Sequence, residues 1–190
     1  MYIAIEGIDT AGKSTQIEAL RKAYPDAIIT KEPGATEAGK EIREIVLSAK
    51  TKSKKAEFLL FLADRAEHIT EVIEPNLNTK SIISDRSAIS GVAYALVQDV
   101  ITKEELVALN NFATDSLYPQ KAFLLQLTKE ELEFRLSQKE LDGIELRGSE
   151  YLLSIQEAII EAAELLNIEL VRIDATQSRE AITQEILKNI

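Results

Sequence analysis

Five short apolar runs, rich in Ile, Leu or Val and bounded by turn signals, divide the sequence at regular intervals. Each is long enough for one buried strand. They cover residues 2–5, 27–30, 81–84, 122–127 and 170–173. The stretches between them place apolar residues three and four positions apart, as in an amphipathic helix. Two examples are Leu59, Leu62, Ala66 and Ile69, and Leu152, Ile155, Ile159 and Ala163. This alternation predicts an α/β fold, a five-stranded parallel sheet with helices on both faces.

The length of 190 residues and the 45% hydrophobic content fit one domain over residues 1–190. No repeat and no Pro/Gly/Ser-rich linker suggests a boundary inside it. Residues 50–55 are polar and basic, which predicts a solvated connection between helices. Residues 138–150 are polar and contain two glycines. They are either an ordinary turn or a short lid over a site.

Composition excludes several classes of function. The chain has no cysteine and one histidine, His68, which rules out disulfides and Cys-ligated metals and argues against His-based catalysis. We find no secretory leader and no apolar run of about 18 residues, so we expect a cytoplasmic protein without a membrane partner. The net charge of −10 argues against nucleic acid, although a few local cations would suffice for a small phosphorylated ligand.

A phosphate-binding loop follows the first predicted strand. Residues 7–14 match G-x-x-x-x-G-K-[ST], and a helical run over 15–24 comes directly after them. In such a loop, backbone N–H groups and a helix N-terminus face one anion. Lys13 is expected to reach the β- and γ-phosphates, and Ser14 to ligate Mg²⁺. The predicted ATP-binding residues are Gly7, Ile8, Asp9, Thr10, Ala11, Gly12, Lys13, Ser14 and Thr15.

Polar residues also follow the other strands, at the sheet edge where ligands bind in open α/β folds. Phosphoryl transfer needs cations around the transferred group and a carboxylate for Mg²⁺ or the acceptor. The candidate cations are Lys13, Lys31, Arg43 and Arg86, and the candidate carboxylates are Asp85 and Glu32. Any one of them could be a surface ion pair; their coincidence at one edge favours a site.

Phe61 and Arg65 are four residues apart and therefore share a helix face. The ring could stack on a nucleobase while the guanidinium donates to its carbonyl oxygens. Equally, Phe61 could belong to the core and Arg65 to a solvated rim. The spacing leaves both readings open.

Five segments together resemble the thymidylate kinase family, over essentially the whole chain. Residues 5–16 are similar to its phosphate loop, and Thr30-Lys-Glu-Pro-Gly34 resembles its T-R-E-P-G segment with Lys31 in place of Arg. Glu41-Ile-Arg43 resembles a segment whose Arg holds the acceptor phosphate. Residues 59–65 are similar to its L-L-F-x-A-D-R helix, and residues 85–95 to D-R-Y-x-x-S-x-x-A-Y-Q.

The resemblance implies a P-loop NTPase fold with a short lid at about 138–150, and ATP-dependent phosphorylation of dTMP to dTDP with Mg²⁺ by a homodimer. Lys13, Arg86 and a lid cation would serve catalysis, with Ser14 and Asp85 at the metal or the acceptor. Substrate contacts would come from Asp9, Lys31, Glu32, Pro33, Arg43, Phe61, Arg65, Arg86, Ser90 and Tyr94. Two alternatives remain: a kinase for another nucleoside monophosphate, and a P-loop switch without metabolite kinase activity. For a GTP switch, no N-K-x-D motif is found.

Three positions depart from the family pattern. Ala95 replaces a Gln that helps to read the base, Ser87 replaces an aromatic residue, and Gly143 stands where many members have the lid Arg. Thr10 does not supply that cation either. The candidates for the lid cation are Arg135, Lys139 and Arg147. We expect Arg147, because it lies in the Gly-flanked part of the lid and its guanidinium can grip two phosphate oxygens.

Overall fold

The computed structural model describes residues 1–48, 50–99, 101–138 and 145–190. Its five strands all run parallel and lie in the order β2-β3-β1-β4-β5. They are β1 Tyr2–Glu6, β2 Ile28–Lys31, β3 Ile82–Asp85, β4 Lys121–Gln126 and β5 Glu169–Asp174. Every strand lies within one residue of its predicted bounds, so the predicted parallel α/β sheet is confirmed.

Eight α-helices connect or flank these strands within the described ranges. They are α1 Lys13–Ala23, α2 Glu37–Leu47, α3 Lys54–His68, α4 Ala88–Gln98, α5 Lys103–Thr114, α6 Lys129–Ser137, α7 Ser149–Leu165 and α8 Arg179–Asn189. A π-helical turn, Ile69–Ile73, prolongs α3, and Glu74–Asn76 and Glu145–Arg147 are short 3₁₀ turns. Ser and Thr caps fix several helix starts; Thr102 and Glu105 form a capping box at α5. None of the helices in these ranges has the length and apolarity needed to cross a membrane.

The core forms where the sheet meets its covering helices. β1 is buried at all five positions, as expected of a central strand covered on both faces. On α7, Leu152, Ile155, Ile159 and Ala163 are all buried, which confirms the stripe predicted for that helix.

The stripe predicted for α3 was partly wrong. Leu59 is 55% exposed, whereas Arg65 and His68 are buried beside Leu62. Leu62 and Ile69 of the predicted stripe are buried, but the apolar spacing placed Leu59 inside and missed Arg65 and His68, because it assumed that only apolar residues turn inward. Buried polar partners from other elements satisfy Arg65 and His68, so these two side chains can lie inside.

The strand order creates a crevice between β1 and β3. These strands are neighbours, with Ile5 paired in register with Asp85. The chain leaves β1 toward β2 on one side and leaves β3 toward β4 on the other. Such a reversal opens a ligand crevice beyond the carboxyl ends of the two strands. The phosphate loop follows β1 and Arg86 follows β3, so both reach this crevice.

Candidate functional site

The loop between β1 and α1 has the curled backbone that the motif predicts. Gly7 has φ 145°, and a Cβ there would lie 2.9 Å from the carbonyl oxygen of Leu125 on β4. Gly12, with φ 98°, caps α1 in a left-handed conformation. Thr10 also has positive φ, at 69°, which is rare for a β-branched residue. Only a glycine fits at position 7, and the loop stores some backbone strain at Thr10.

Lys13 lies inside this loop and is only 8% exposed. Its Nζ donates to the carbonyl oxygen of Ile8 at 3.0 Å and lies 3.6 Å from Oδ1 of Asp9. Burial, reinforced by the nearby positive charge of Arg86, lowers the pKa of Lys13 to about 8. The protein's own groups therefore neutralise the Lys13 ammonium only in part, and phosphate groups would neutralise it further.

Arg86 joins β3 to the phosphate loop. Its Nη1 donates to the carbonyl oxygen of Gly7 at 3.0 Å, and its Nη2 donates to Oδ1 of Asp9 at 2.7 Å. Burial alone would raise the pKa of Asp9, but Arg86 and Lys13 outweigh it and hold the pKa below its usual value. Arg86 has φ 68°, and the Ser84 hydroxyl donates to its carbonyl oxygen at 2.6 Å, which fixes the turn. The predicted cations Lys13 and Arg86 thus meet around Asp9.

The sequence analysis did not single out Glu6, whose carboxylate is fully buried at the end of β1. It accepts hydrogen bonds from the hydroxyls of Ser87, at 2.7 Å, and Ser90, at 2.5 Å. The Ser90 oxygen in turn accepts from Nη1 of Arg86 at 3.1 Å. Burial raises the pKa of Glu6, and the two serines partly offset the rise. The sequence did contain one indication of this site: a carboxylate at the end of an apolar strand, a position where an unpaired charge is unusual.

Arg65 on α3 is buried and forms an ion pair with Glu32, which follows β2. Its Nε donates to Oε2 of Glu32 at 2.9 Å, and Nδ1 of His68 lies 3.0 Å from Oε1 of the same carboxylate. Burial would raise the pKa of Glu32, but Arg65 and His68 outweigh it and hold the pKa below its usual value. The reading of Arg65 as a solvated rim charge was therefore wrong.

Asn110 and Thr30 complete this network, and neither was predicted. Nη1 of Arg65 donates to Oδ1 of Asn110 at 2.6 Å, and Thr30 Oγ1 lies 2.7 Å from Nε2 of His68. Asn110 is fully buried on α5. An amide on the buried face of a helix was the one signal in the sequence, and it does not identify the partner.

An aromatic pocket lies beside Arg65 between α3 and α4. Phe61 is half-buried and lines it, so Phe61 is not a core residue. Tyr94 and Ala95 form part of the opposite wall, together with Gly91. The remaining lining residues are Lys54, Glu57, Phe58 and Gln98. The structure thus brings Phe61 and Tyr94 together in one pocket.

The loop after β2 positions the remaining predicted acceptor residues. Arg43 Nη1 donates to the carbonyl oxygen of Pro33 at 3.0 Å, and the Gly34 amide donates to Oδ1 of Asp64 at 2.8 Å. Burial raises the pKa of Asp64 to about 6. Lys31 is exposed at the end of β2. The structure thus brings Arg43 and Pro33, both predicted substrate contacts, together at this loop.

Two buried oxygen atoms of the crevice have no hydrogen-bond partner within the part of the chain that the structure describes: Asp85 Oδ1 and Thr10 Oγ1. Buried polar atoms are normally paired, so these are candidates for contact with a ligand. Asp85 lies at the carboxyl end of β3, and Ser14 is exposed in the first turn of α1.

Of the three candidate lid cations, the structure brings Arg135 to the phosphate loop. Its Nη1 donates to the Thr10 carbonyl oxygen at 3.0 Å and its Nη2 to the Ala175 carbonyl oxygen at 2.7 Å. Arg147 is exposed, with its guanidinium 5.0 Å from the ring centroid of Tyr151. Lys139 and the rest of the segment 139–144, which belong to the predicted lid, lie outside the described residues.

A glycine-containing loop that wraps a lysine between the first strand and helix of a parallel sheet, at its switch point, defines a P-loop phosphate-binding protein. The family model for thymidylate kinase matches residues 5–186. The chain therefore belongs to the thymidylate kinase family, as the resemblance of its motifs predicted.

Comparison with known proteins agrees over the full length. The chain is 75% identical to the thymidylate kinase of Sulfurimonas denitrificans, covering 100% of this chain and 99% of that protein. It is 53% identical to the thymidylate kinase of Sulfurovum sp., covering 98% and 97%. A crystal structure of thymidylate kinase from Ehrlichia chaffeensis superposes with a TM-score of 0.77 at 24% identity, covering 100% of this chain and 97% of that one. The last comparison confirms the fold.

Proposed function

We propose that this chain transfers the γ-phosphoryl group of ATP to dTMP, giving ADP and dTDP, by direct in-line transfer. Membership of the thymidylate kinase family and the near-complete coverage of its relatives support this activity. The observation that carries it is the position of Arg86. Its guanidinium contacts the phosphate loop at Gly7 and Asp9 and also Ser90 on α4, the helix that forms one wall of the aromatic pocket.

The cations at this junction would stabilise the charge that spreads over the phosphoryl oxygens during transfer. Lys13 and Arg86 supply two positive charges, and Asp9 holds Arg86 at 2.7 Å so that it needs little rearrangement. Arg43 would grip the acceptor phosphate from the loop after β2. Because Ser90 bonds both Glu6 and Arg86, we assign it to positioning Arg86 as well as to the pocket.

The oxygen donors of the site fit Mg²⁺, which takes hard oxygen ligands and keeps several waters. Asp85 offers a buried Oδ1 without a partner among the described residues, and Ser14 offers an exposed hydroxyl. When bound with ATP, Mg²⁺ would neutralise charge on the β- and γ-phosphates. Asp85 and Ser14 would hold it at the carboxyl end of the sheet.

The aromatic pocket would bind the nucleoside. Phe61 would stack on the base, Arg65 would donate to a base carbonyl, and Tyr94 would pack against the sugar where a 2′-hydroxyl would project. Glu32 and Pro33 belong to the loop after β2, where Glu32 holds Arg65, and Lys31 is exposed at the end of β2. Family membership weighs against the switch reading. Ala95, in the pocket wall, keeps another nucleoside monophosphate as the second candidate acceptor.

The assembly is also part of the proposal. We infer a single domain over residues 1–190 with a lid at about 138–150, acting as a cytoplasmic homodimer. Three exposed apolar side chains support the dimer: Leu47 on α2, Leu59 on α3 and Phe112 on α5 are 57%, 55% and 84% exposed. These helices are neighbours, because α3 packs against both α2 and α5. Exposed apolar patches of this kind commonly mark protein interfaces.

The test is ADP formation with MgATP and each of dTMP, dUMP, UMP and AMP, and with no acceptor. We expect dTMP to be the best acceptor, and dUMP to exceed UMP by at least about tenfold in kcat/KM if Tyr94 excludes the 2′-hydroxyl. Equal use of UMP and dUMP would remove that role from Tyr94. ADP release that does not depend on any acceptor would favour a nucleotide switch.

A further inference from the structure

Gly91 is the fourth of the eleven residues of α4, inside the helix, where glycine is less favourable than alanine. Its backbone does not require a glycine, because it is not among the residues with positive φ. The space around it does require a glycine. A Cβ built on Gly91 would lie 2.6 Å from Nη2 of Arg65 and 3.4 Å from its Cζ. Any side chain at this position would therefore collide with the guanidinium.

The guanidinium cannot simply move aside. Its Nε is held by Glu32 at 2.9 Å and its Nη1 by Asn110 at 2.6 Å. Arg65 is 2% exposed, and both partners are buried. Moving Nη2 away from a new methyl group would break at least one of these bonds and leave a buried charge or amide unpaired.

Nη2 is the one guanidinium nitrogen for which these two side chains provide no partner, and it is the nitrogen that faces Gly91. Gly91 itself lines the aromatic pocket with Phe61 and Tyr94. Because Gly91 has no side chain, Nη2 packs directly against its backbone, at the point where Gly91 forms part of the pocket wall. Ala95, one helical turn further on, lines the same wall and offers no polar side chain either.

We propose that Gly91 is a positioning residue for base recognition. By having no side chain, it lets the locked guanidinium of Arg65 present Nη2 to a carbonyl oxygen of a pyrimidine base in the pocket. This inference rests on the proposed function, because it assumes that the pocket takes the base of the acceptor. It assigns to Arg65 and Gly91 together the recognition that Ala95 cannot supply.

The test is Gly91→Ala, measured with steady-state kinetics in both substrates. The KM for dTMP should rise about tenfold, because a contact made equally in the ground and transition states is lost. The KM for ATP and the kcat at saturating dTMP should stay within about twofold of wild type. A general distortion of α4 would change all three values, since α4 also carries Ser90.

The matched background is Arg65→Lys, which keeps the positive charge but lacks Nη2. Gly91→Ala should change the KM for dTMP by less than about twofold in that background, because interacting residues are non-additive. The inference is overturned if Gly91→Ala leaves this KM unchanged in the wild type, or raises it equally in both backgrounds.

Two further measurements separate the possible failures. If Gly91→Ala does not fold by circular dichroism, Asn110→Ala tests the same lock by freeing Nη1; an unchanged KM for dTMP would then refute the inference. If the wild-type chain does not phosphorylate dTMP, the proposed function fails and the inference fails with it. Wild-type activity with an unaffected Gly91→Ala variant removes the inference alone.

Discussion

The crevice has two sides that hold their charges in different ways. We call them the phosphate side, around Lys13 and Asp85, and the base side, around Arg65 and Glu32, after the parts of the nucleotides that we propose they bind. On the phosphate side, Lys13 is buried against a backbone carbonyl with its carboxylate partner 3.6 Å away, and Asp85 Oδ1 has no partner among the described residues. On the base side, Glu32 holds Arg65 at 2.9 Å and lies 3.0 Å from His68.

This difference indicates how each side contributes. On the base side, the protein's own side chains satisfy one another, so their bonds hold the fold together and pre-orient the pocket. On the phosphate side, the protein's own groups neutralise the charge of Lys13 only in part and leave Asp85 Oδ1 without a partner among the described residues. Bound phosphates and Mg²⁺ would supply the missing partners. Substitutions on the phosphate side should therefore lower activity with little effect on stability, and substitutions in the base-side network should also destabilise the fold.

Lys13→Ala should give the largest loss of activity. We expect kcat to fall by roughly 10²- to 10³-fold, because a cation aimed at the transferring phosphoryl group is removed. The melting temperature should stay close to that of wild type, since a buried and poorly compensated charge contributes little to folding. Lys103→Ala, which removes an exposed cation paired with Glu161, is the control and should leave kcat unchanged. Near-wild-type turnover of Lys13→Ala would refute the phosphate-loop assignment.

Glu32→Gln tests the base side. Arg65 would keep its charge in a buried site without the carboxylate, which costs about 3 kcal/mol of unfolding free energy. For a chain of this size, that lowers the melting temperature by roughly 6–12 °C. Glu37→Gln removes a carboxylate from an exposed ion pair with Lys40 and should shift the melting temperature by about 2 °C or less. Equal melting temperatures for the two variants would refute the claim that the base-side network stabilises the fold.

The same contrast explains what the sequence could predict. The five strands and the phosphate loop were predictable, because each depends on a local pattern of apolar residues or on eight consecutive residues. The base-side network was not, because Arg65 pairs with Glu32 and Asn110, which lie 33 and 45 positions away. Which side chains meet there depends on the face that α3 turns toward α5 and the loop after β2. In the structure this face carries Arg65 and not Leu59, contrary to the apolar spacing.

The pH dependence of ATP binding tests whether the pKa of Lys13 is lowered in the protein and raised again by bound phosphates. Its pKa is about 8 without ligand, and phosphate charges should raise it on binding. Below pH 8, Lys13 is already protonated; above pH 8, binding must take up a proton, so the Kd for ATP should rise about tenfold between pH 7 and pH 9. Calorimetry in two buffers of different ionisation enthalpy measures both the Kd and the proton uptake. Lys13→Arg, which stays protonated, should flatten the profile; a flat wild-type profile would contradict the assignment.

The smallest expected effect concerns the lid cation that we propose for the phosphate side. Arg147 lies exposed over the ring of Tyr151, with Nη1 2.9 Å from the hydroxyl oxygen of Tyr151, so the proposed lid would carry this charge on its surface. Arg147→Ala should lower kcat at saturating ATP and dTMP by at least about threefold, equivalent to roughly 0.6 kcal/mol in barrier height. Tyr151→Phe is the control, because it removes this hydrogen bond, keeps the ring and leaves the guanidinium in place.

Arg135→Ala, measured in parallel, decides between the two arginines that the structure describes. Arg135 is tied to the carbonyl oxygens of Thr10 and Ala175 and to Glu131, so its removal should loosen the phosphate loop and raise the KM for ATP. A lid cation that acts only in the transition state should instead lower kcat with the KM for ATP nearly unchanged. If Arg147→Ala loses less than about threefold while Arg135→Ala lowers kcat more, Arg135 takes the role and Arg147 is a surface charge. If neither variant loses kcat, Lys139→Ala is the remaining test, and the donor phosphates would then be met by a cation from the segment between residues 138 and 145.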